Sequence, residues 1–167
     1  MALSQKDETT NGMVLTSAPG PYELNAMLTG LAERKRLRAA LDMYHTGGVP
    51  GDAFTASIML EMLASSMSDR SATVKSLPQE SWQWDETVLL LKDFAKKGQP
   101  LNNYAYASAL KVNKQATRQS NLARGRTGNR HDGEKATLYV LDQMKHSRVT
   151  PDTVTCTLIL QCLEEAG

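Results

Sequence analysis

The sequence has few cysteines, few aromatic residues and no long apolar run. Cys156 and Cys162 are its two cysteines, and a spacing of six places them about 240° apart around one helix, which prevents a disulfide within it. The disulfide framework of a small secreted domain is therefore excluded. Aromatic residues make up 5% of the 167 residues, and no segment reaches the ~20 apolar positions of a membrane-spanning helix. The apolar content is mainly Leu, Ala, Val and eight Met, a mixture typical of helices.

The sequence also lacks the motifs of common enzymes and metal sites. Its three histidines, His45, His131 and His146, are scattered, and none belongs to an HExxH motif or lies near a CxxC pair. There is no glycine-rich phosphate-binding loop and no GxSxG nucleophile motif. We therefore predict that the protein is not an enzyme and has no catalytic residue, metal site or cofactor.

Charge is balanced overall but unevenly distributed along the chain. The formal net charge is +1. Residues 111–135 contain seven basic and two acidic side chains, a net charge of +5, so the remainder carries −4. Because the same segment is rich in Gly, Asn and Gln, we predict a basic loop that contacts phosphate groups through Lys114, Arg118, Arg124, Arg126 and Arg130.

Apolar residues recur with a helical period along most of the chain. Residues 1–21 are polar and end in a stretch rich in Pro and Gly, which indicates an N-terminal tail. From residue 22 onward, spacings of three and four predict seven helices, and the last of them is expected to bury Ile159, Cys162, Leu163 and Ala166. Two longer insertions, near 65–83 and 113–132, are predicted as loops.

The breaks between helices recur at a fixed interval. Asp52, Asn102 and Asp152 each come after a Gly- or Pro-containing stop, and they lie 50 residues apart. A fixed period between helix pairs is typical of a solenoid, in which each hairpin buries one face on the next. We therefore predict an all-α fold, an α-solenoid of antiparallel helix pairs over residues 22–167.

The repeat has a recognisable sequence pattern. The segments LNAMLTGLAERKRLRAALDMY (24–44) and DQMKHSRVTPDTVTCTLILQCLEEAG (142–167) resemble the unit of the pentatricopeptide repeat (PPR) family of organellar proteins. The resemblance covers residues 22–167, is specific at both ends and looser in the middle, and amounts to about three and a half degenerate units. It implies a right-handed superhelix of the PPR or TPR kind and a location in a chloroplast or mitochondrion, without a membrane span.

The resemblance also implies a way of binding RNA. In helical repeats of this kind, one or two side chains of each unit read one base of single-stranded RNA. The reading pairs that the resemblance assigns are Asn25 with Asp52, Ser57 with Asn102, and Ala107 with Asp152, while Thr157 has no partner. Asn with Asp resembles a reader of uracil and Ser with Asn a reader of adenine, whereas Ala with Asp is not a usual pair. A structural alternative is that these polar residues cap helix starts.

Two functions are consistent with these observations. The first is a non-enzymatic binding module that associates with single-stranded RNA or a ribonucleoprotein. The second is a scaffold subunit that holds protein subunits together in a large organellar complex, such as a mitochondrial ribosome or a photosynthetic or respiratory membrane complex. The small number of units favours the second, because two reading pairs at ~1–3 kcal/mol per base give only limited discrimination.

Overall fold

The structure of the chain is a computed structural model that describes residues 20–48, 50–68, 82–122 and 131–167. These residues form helices joined by short turns. Within these ranges there is no strand, and the seven α-helices are α1 (Pro21–Glu33), α2 (Leu37–Thr46), α3 (Ala53–Ser68), α4 (Trp82–Lys96), α5 (Asn103–Leu122), α6 (Gly133–His146) and α7 (Thr153–Ala166). The prediction of an all-α fold is confirmed. None of the described helices has the length and apolar character needed to cross a bilayer.

The helix boundaries differ from the prediction at both insertions. α3 continues to Ser68, and α5 continues to Leu122, so the loop predicted near 113–132 is wrong for residues 113–122. The reason is that Ala116 and Thr117 are buried and extend the packed side of α5, although most of their neighbours in sequence are polar. The predicted tail up to residue 19 and the segments 69–81 and 123–130, with Arg124, Arg126 and Arg130, lie outside the described residues.

Four helices begin in the same way. The backbone carbonyls of Gly20, Asp52, Asn102 and Asp152 each accept a hydrogen bond from the N–H four residues later, which starts α1, α3, α5 and α7. The side chains of the last three also accept from the N–H three residues later, at 2.8, 2.9 and 2.8 Å. These residues are N-caps, which satisfy N–H groups that a helix start leaves unpaired. The interval of 50 residues is therefore an interval between helix caps.

The helices α1, α3, α5 and α7, called the odd helices below, form one row. α3 packs against α1 and α5, and α5 packs in turn against α7. Each of the helices α2, α4 and α6 packs against the two odd helices next to it in sequence. Neighbouring odd helices run parallel. Between α3 and α5, Ser57 contacts Asn102 at one end and Ser68 contacts Gln115 towards the other. Between α5 and α7, Cys162 bonds to the Leu110 carbonyl, and further along both helices Asn121 Nδ2 bonds to the Glu165 carbonyl at 2.6 Å.

The last helix is covered on one side. Thr155 and Cys162 are its buried residues, and Ile159 is half-buried. Leu163, which the sequence pattern placed in the core, is 38% exposed, so that prediction is wrong. The periodicity identifies the apolar positions correctly, but α5 and α6 contact only one side of α7, and no other described helix packs extensively against it.

A polar cluster lies within the core between α4, α5 and α6. Asn113 Nδ2 donates to the Gly133 carbonyl at 3.1 Å and to Thr137 Oγ1 at 2.8 Å, while Asn113 Oδ1 lies 2.7 Å from His131 Nε2. Because the amide oxygen can only accept, the bond assigns the imidazole proton to Nε2. The His131 ring also meets the Trp84 ring edge to face, with centroids 5.5 Å apart. All polar atoms of the Asn113 side chain are thus engaged.

Candidate nucleic-acid interface

Two of the predicted reading pairs are in contact in the structure. Asn25 Nδ2 donates to the two carboxylate oxygens of Asp52, at 3.1 and 3.3 Å. Ser57 Oγ lies 3.4 Å from Asn102 Oδ1. In both pairs, a side chain five residues after one cap meets the cap of the next odd helix. The repeat register therefore identifies true spatial neighbours, and whether they read bases remains a prediction.

Both pairs also serve the protein itself. Asp52 Oδ1 accepts the Thr55 N–H at 2.8 Å, and the Thr55 hydroxyl donates to Asn25 Oδ1 at 2.6 Å. Ser57 Oγ donates to the carbonyl of Ala53 at 2.9 Å. Asn25 and Ser57 are 8% and 4% exposed. The capping alternative thus holds for the Asp and Asn at the junctions, whereas Asn25 and Ser57 lie inside their helices.

Hydrogen bonding keeps the Asp52 carboxylate ionised. Burial raises the pKa of Asp52, but hydrogen bonds from the Thr55 backbone N–H and the Asn25 amide outweigh burial and leave the pKa below its ordinary value. A negatively charged acceptor at neutral pH therefore stands beside the Asn25 amide, and the pair presents both a donor and an acceptor group.

The third predicted pair and the unpaired Thr157 have a different environment. Ala107 is buried and has no polar side-chain atom, and Asp152 is exposed. The buried hydroxyl of Thr155, which corresponds to Thr55, has no hydrogen-bond partner within the described part of the chain. Thr157 is exposed, and its hydroxyl donates to the Thr153 carbonyl at 2.8 Å. The side of α7 that corresponds to the predicted reading side of α1 and α3 therefore makes fewer side-chain hydrogen bonds to its neighbouring odd helix.

A row of exposed apolar side chains runs beside these pairs, and the sequence analysis missed it. The second residues after the four caps are Tyr22, Phe54, Tyr104 and Val154, and each is between 54% and 83% exposed. Because the four positions are equivalent in the repeat, these side chains are a candidate contact surface. The interval of 50 between residues 54, 104 and 154 is the signal in the sequence that could have identified this row.

Basic side chains on α5 lie next to this row. Lys114 and Arg118, predicted in a loop, are on the helix, and spacings of three and four place them on the same side as Tyr104 and Lys111. Lys111 Nζ lies 5.8 Å from the Tyr104 ring centroid and 3.0 Å from Glu61 Oε2. Lys114 Nζ donates to Gln161 Oε1 at 2.9 Å, and Arg118 is exposed. Lys111 is a further candidate that the sequence analysis did not single out.

The Cys162 thiol is buried and stays protonated at neutral pH. Cys162 is buried and donates to the Leu110 carbonyl at 3.3 Å, and burial raises the pKa of its thiol to about 11. Within residues 20–48, 50–68, 82–122 and 131–167, no three His, Cys, Asp or Glu side chains are arranged to hold a metal ion.

Comparison with known proteins does not extend the sequence resemblance. No model of a protein family matches the chain, and a search of curated proteins finds no significant match. The resemblance to the PPR family therefore rests on the quoted segments, and it remains a prediction.

Proposed function

We propose that the chain is a non-enzymatic helical-repeat module that binds single-stranded RNA along the caps and first turns of the odd helices. The observation that carries the proposal is the exposed aromatic side chain that recurs as Tyr22, Phe54 and Tyr104, two residues after three successive caps. In this proposal the helix pairs form a right-handed α-solenoid of the PPR kind. An organellar location is part of the same proposal and rests on the resemblance.

Stacking and charge supply most of the affinity in this proposal. Base stacking on an aromatic side chain contributes ~1–3 kcal/mol per base and tolerates any sequence. Lys111 lies beside Tyr104, and Lys114 and Arg118 follow on the same side of α5, about 15 and 21 Å along the helix from Tyr104. In this proposal the three side chains neutralise the phosphates that accompany the stacked bases. The pairs Asn25 with Asp52 and Ser57 with Asn102 add a preference at two bases, which is too little to select one transcript.

The proposal is tested by fluorescence anisotropy of labelled single-stranded RNA over a salt series. We expect Tyr104→Ala to weaken binding by about 5- to 150-fold, the equivalent of ~1–3 kcal/mol. Its matched control is Leu138→Ala, which removes a side chain of similar exposure from α6 and leaves the affinity unchanged. Double-stranded RNA of equal length should bind more weakly, because its bases are not free to stack.

Charge is tested separately by neutralising one lysine at a time. Lys111→Gln should reduce the slope of log K against log salt by about 0.7, the value for one contact with a single strand. Lys145→Gln, at an exposed position of α6, is the control and should leave the slope unchanged. If the chain shows no salt-sensitive affinity for single-stranded RNA, or if Tyr104→Ala binds as well as Leu138→Ala, the RNA-binding function is wrong.

A scaffold subunit of a large organellar assembly is the second candidate function. It is favoured by the burial of Asn25 and Ser57, whose polar atoms already have partners inside the protein. A scaffold should co-purify with a defined set of proteins, and that association should survive treatment with nuclease. Loss of all partners after nuclease treatment would instead support RNA as the ligand.

A further inference from the structure

One leucine position is shared by all four odd helices but is buried in only three. The eighth residues after the caps are Leu28, Leu60, Leu110 and Leu160. The first three are completely buried, whereas Leu160 is 63% exposed. The fourth position follows the same pattern, since Ala56 and Tyr106 are buried and Cys156 is exposed. α7 therefore carries on its surface the residues that its counterparts use for packing.

The counterparts show what covers this position. On α5, the backbone at Leu110 receives the thiol of Cys162 from α7, the next helix of the row. The corresponding side of α7 consists of Cys156, Leu160 and Leu163, which we call the outer face of α7. Leu160 and Leu163 are exposed apolar residues on this face, so one more parallel helix can pack against it.

α1 carries the complementary feature at the other end of the row. The third and tenth residues after the cap face the preceding odd helix, since Thr55 bonds to Asn25 and Cys162 to Leu110, and helical spacing places the seventh residue on the same side. At this seventh position Met59 and Ala109 are completely buried and Ile159 is half-buried. Met27, at the same position of α1, is 50% exposed. Its neighbours on this side are the small residues Ala26 and Gly30, and a Cβ added to Gly30 would meet no atom within 4 Å. Met27, Ala26 and Gly30 form the outer face of α1, on which the two small residues leave room beside Met27 for another helix.

Charge at the ends of these two helices is also complementary. The last turn of α7 carries Glu164 and Glu165. α1 ends at Glu33 and is followed by Arg34, Lys35 and Arg36, so its end carries one negative and three positive charges, all on exposed residues. Because neighbouring odd helices run parallel, α1 of a second copy placed on α7 would bring its C-terminal end beside the C-terminal end of α7. Opposite charges would then meet at one end of an apolar contact, which favours this orientation.

We propose that copies of this chain associate head to tail, with the outer face of α7 in one copy packed parallel against the outer face of α1 in the next. The two faces differ, so the contact is heterologous and leaves one face of each kind free at the ends of the assembly. Association therefore continues the row of odd helices from one copy into the next. This inference is independent of RNA binding, because neither face includes Tyr22, Phe54 or Tyr104.

The test is the molar mass of the purified full chain by sedimentation velocity over a concentration series. The wild-type mass should rise with concentration, and both Leu160→Glu and Met27→Glu should remain monomeric. An equimolar mixture of the two variants should form dimers and nothing larger, because one variant keeps an intact α1 face and the other an intact α7 face. Leu138→Glu, at a position of α6 that is 52% exposed, is the matched control and should associate like the wild type.

Circular dichroism of each variant is the folding control. We expect the helices to be retained, because both substituted side chains are exposed. A second measurement uses charge alone: Glu164→Arg with Glu165→Arg should weaken association, and a partner copy with Arg34→Glu and Arg36→Glu should restore it. The proposal is overturned if the wild type is monomeric at every concentration. It is also overturned if Met27→Glu alone still associates, since α7 would then contact a second α7, or if the mixture of variants stays monomeric.

Discussion

The hydroxyl of Thr55 donates to Asn25 Oδ1 at 2.6 Å, and this buried bond joins α3 to α1. Thr155 has the same position on α7, but the residue that corresponds to Asn25 there is Ala107. The buried hydroxyl of Thr155 consequently has no partner among the residues that the structure describes. Threonines at equivalent positions therefore differ in their hydrogen bonding between helices.

This difference predicts unequal effects of the same substitution. Thr55→Val should lower the free energy of unfolding by about 1–3 kcal/mol, because it leaves the Asn25 oxygen buried without that donor. Thr155→Val replaces an unpaired hydroxyl with a methyl group and should be neutral or stabilising. Urea unfolding of the two variants measures the difference, and equal losses of stability would contradict the hydrogen-bond assignment.

The Asp52 carboxylate should make stability depend on pH in the acid range. Its folded pKa lies below the ordinary value of 3.8, so its stabilising effect is complete above that value and is lost as the pH falls through the folded pKa. We expect the wild type to lose more free energy of unfolding between about pH 5 and pH 3 than Asp52→Asn does. Parallel pH profiles of the two proteins would show the carboxylate to be unimportant.

His131 should give a second pH dependence nearer neutrality. Burial lowers the pKa of His131, although the charges of Asp132 and Asp85 act in the opposite direction. The folded state therefore favours the neutral ring, and stability should decrease as the pH falls below the ordinary pKa of 6.5, where the unfolded chain takes up the proton. Unfolding followed by Trp84 fluorescence, in a Trp82→Phe background, measures this decrease, and His131→Gln should remove it.

Residue 133 lies so close to Thr117 that only glycine fits there without a shift of the neighbouring atoms. A Cβ at residue 133 would lie 2.2 Å from Thr117 Oγ1 and 2.8 Å from its Cγ2, so Gly133→Ala should lower the free energy of unfolding by about 1–3 kcal/mol. Thr117→Ala removes both of these atoms. A double-mutant cycle should therefore show that Gly133→Ala costs less in the Thr117→Ala background, and additive effects would mean that the strain lies elsewhere.

Local signals explain what the sequence could predict about this fold. Asp52, Asn102 and Asp152 are cap residues, and a cap is specified by its own side chain and the few residues that follow it. The register of 50 residues and the seven helices could therefore be predicted, whereas the pairing of Asn25 with Asp52 was implied by the resemblance to the PPR family. The exposure of Leu163 and the end of α5 could not be predicted, because they depend on which helices pack against α7 and α5.

The candidate site shows the same division between local and tertiary information. Lys114 and Arg118 were identified by charge, but their place on α5 depends on the buried Ala116, whose neighbours in sequence resemble a loop. The exposed aromatic row was missed because apolar residues are assigned to the core by default. Only the surrounding structure shows that Phe54 and Tyr104 face solvent.

Asn113 occupies the position at which the other odd helices carry Leu31, Leu63 and Leu163. Against a neighbour with only apolar side chains, its amide would stay unpaired at a cost of about 1–3 kcal/mol. The segment that begins with His131 supplies the matching groups and fits at this place. A single polar residue thus makes the packing of one helix pair specific, so that similar helix pairs do not exchange positions along the row.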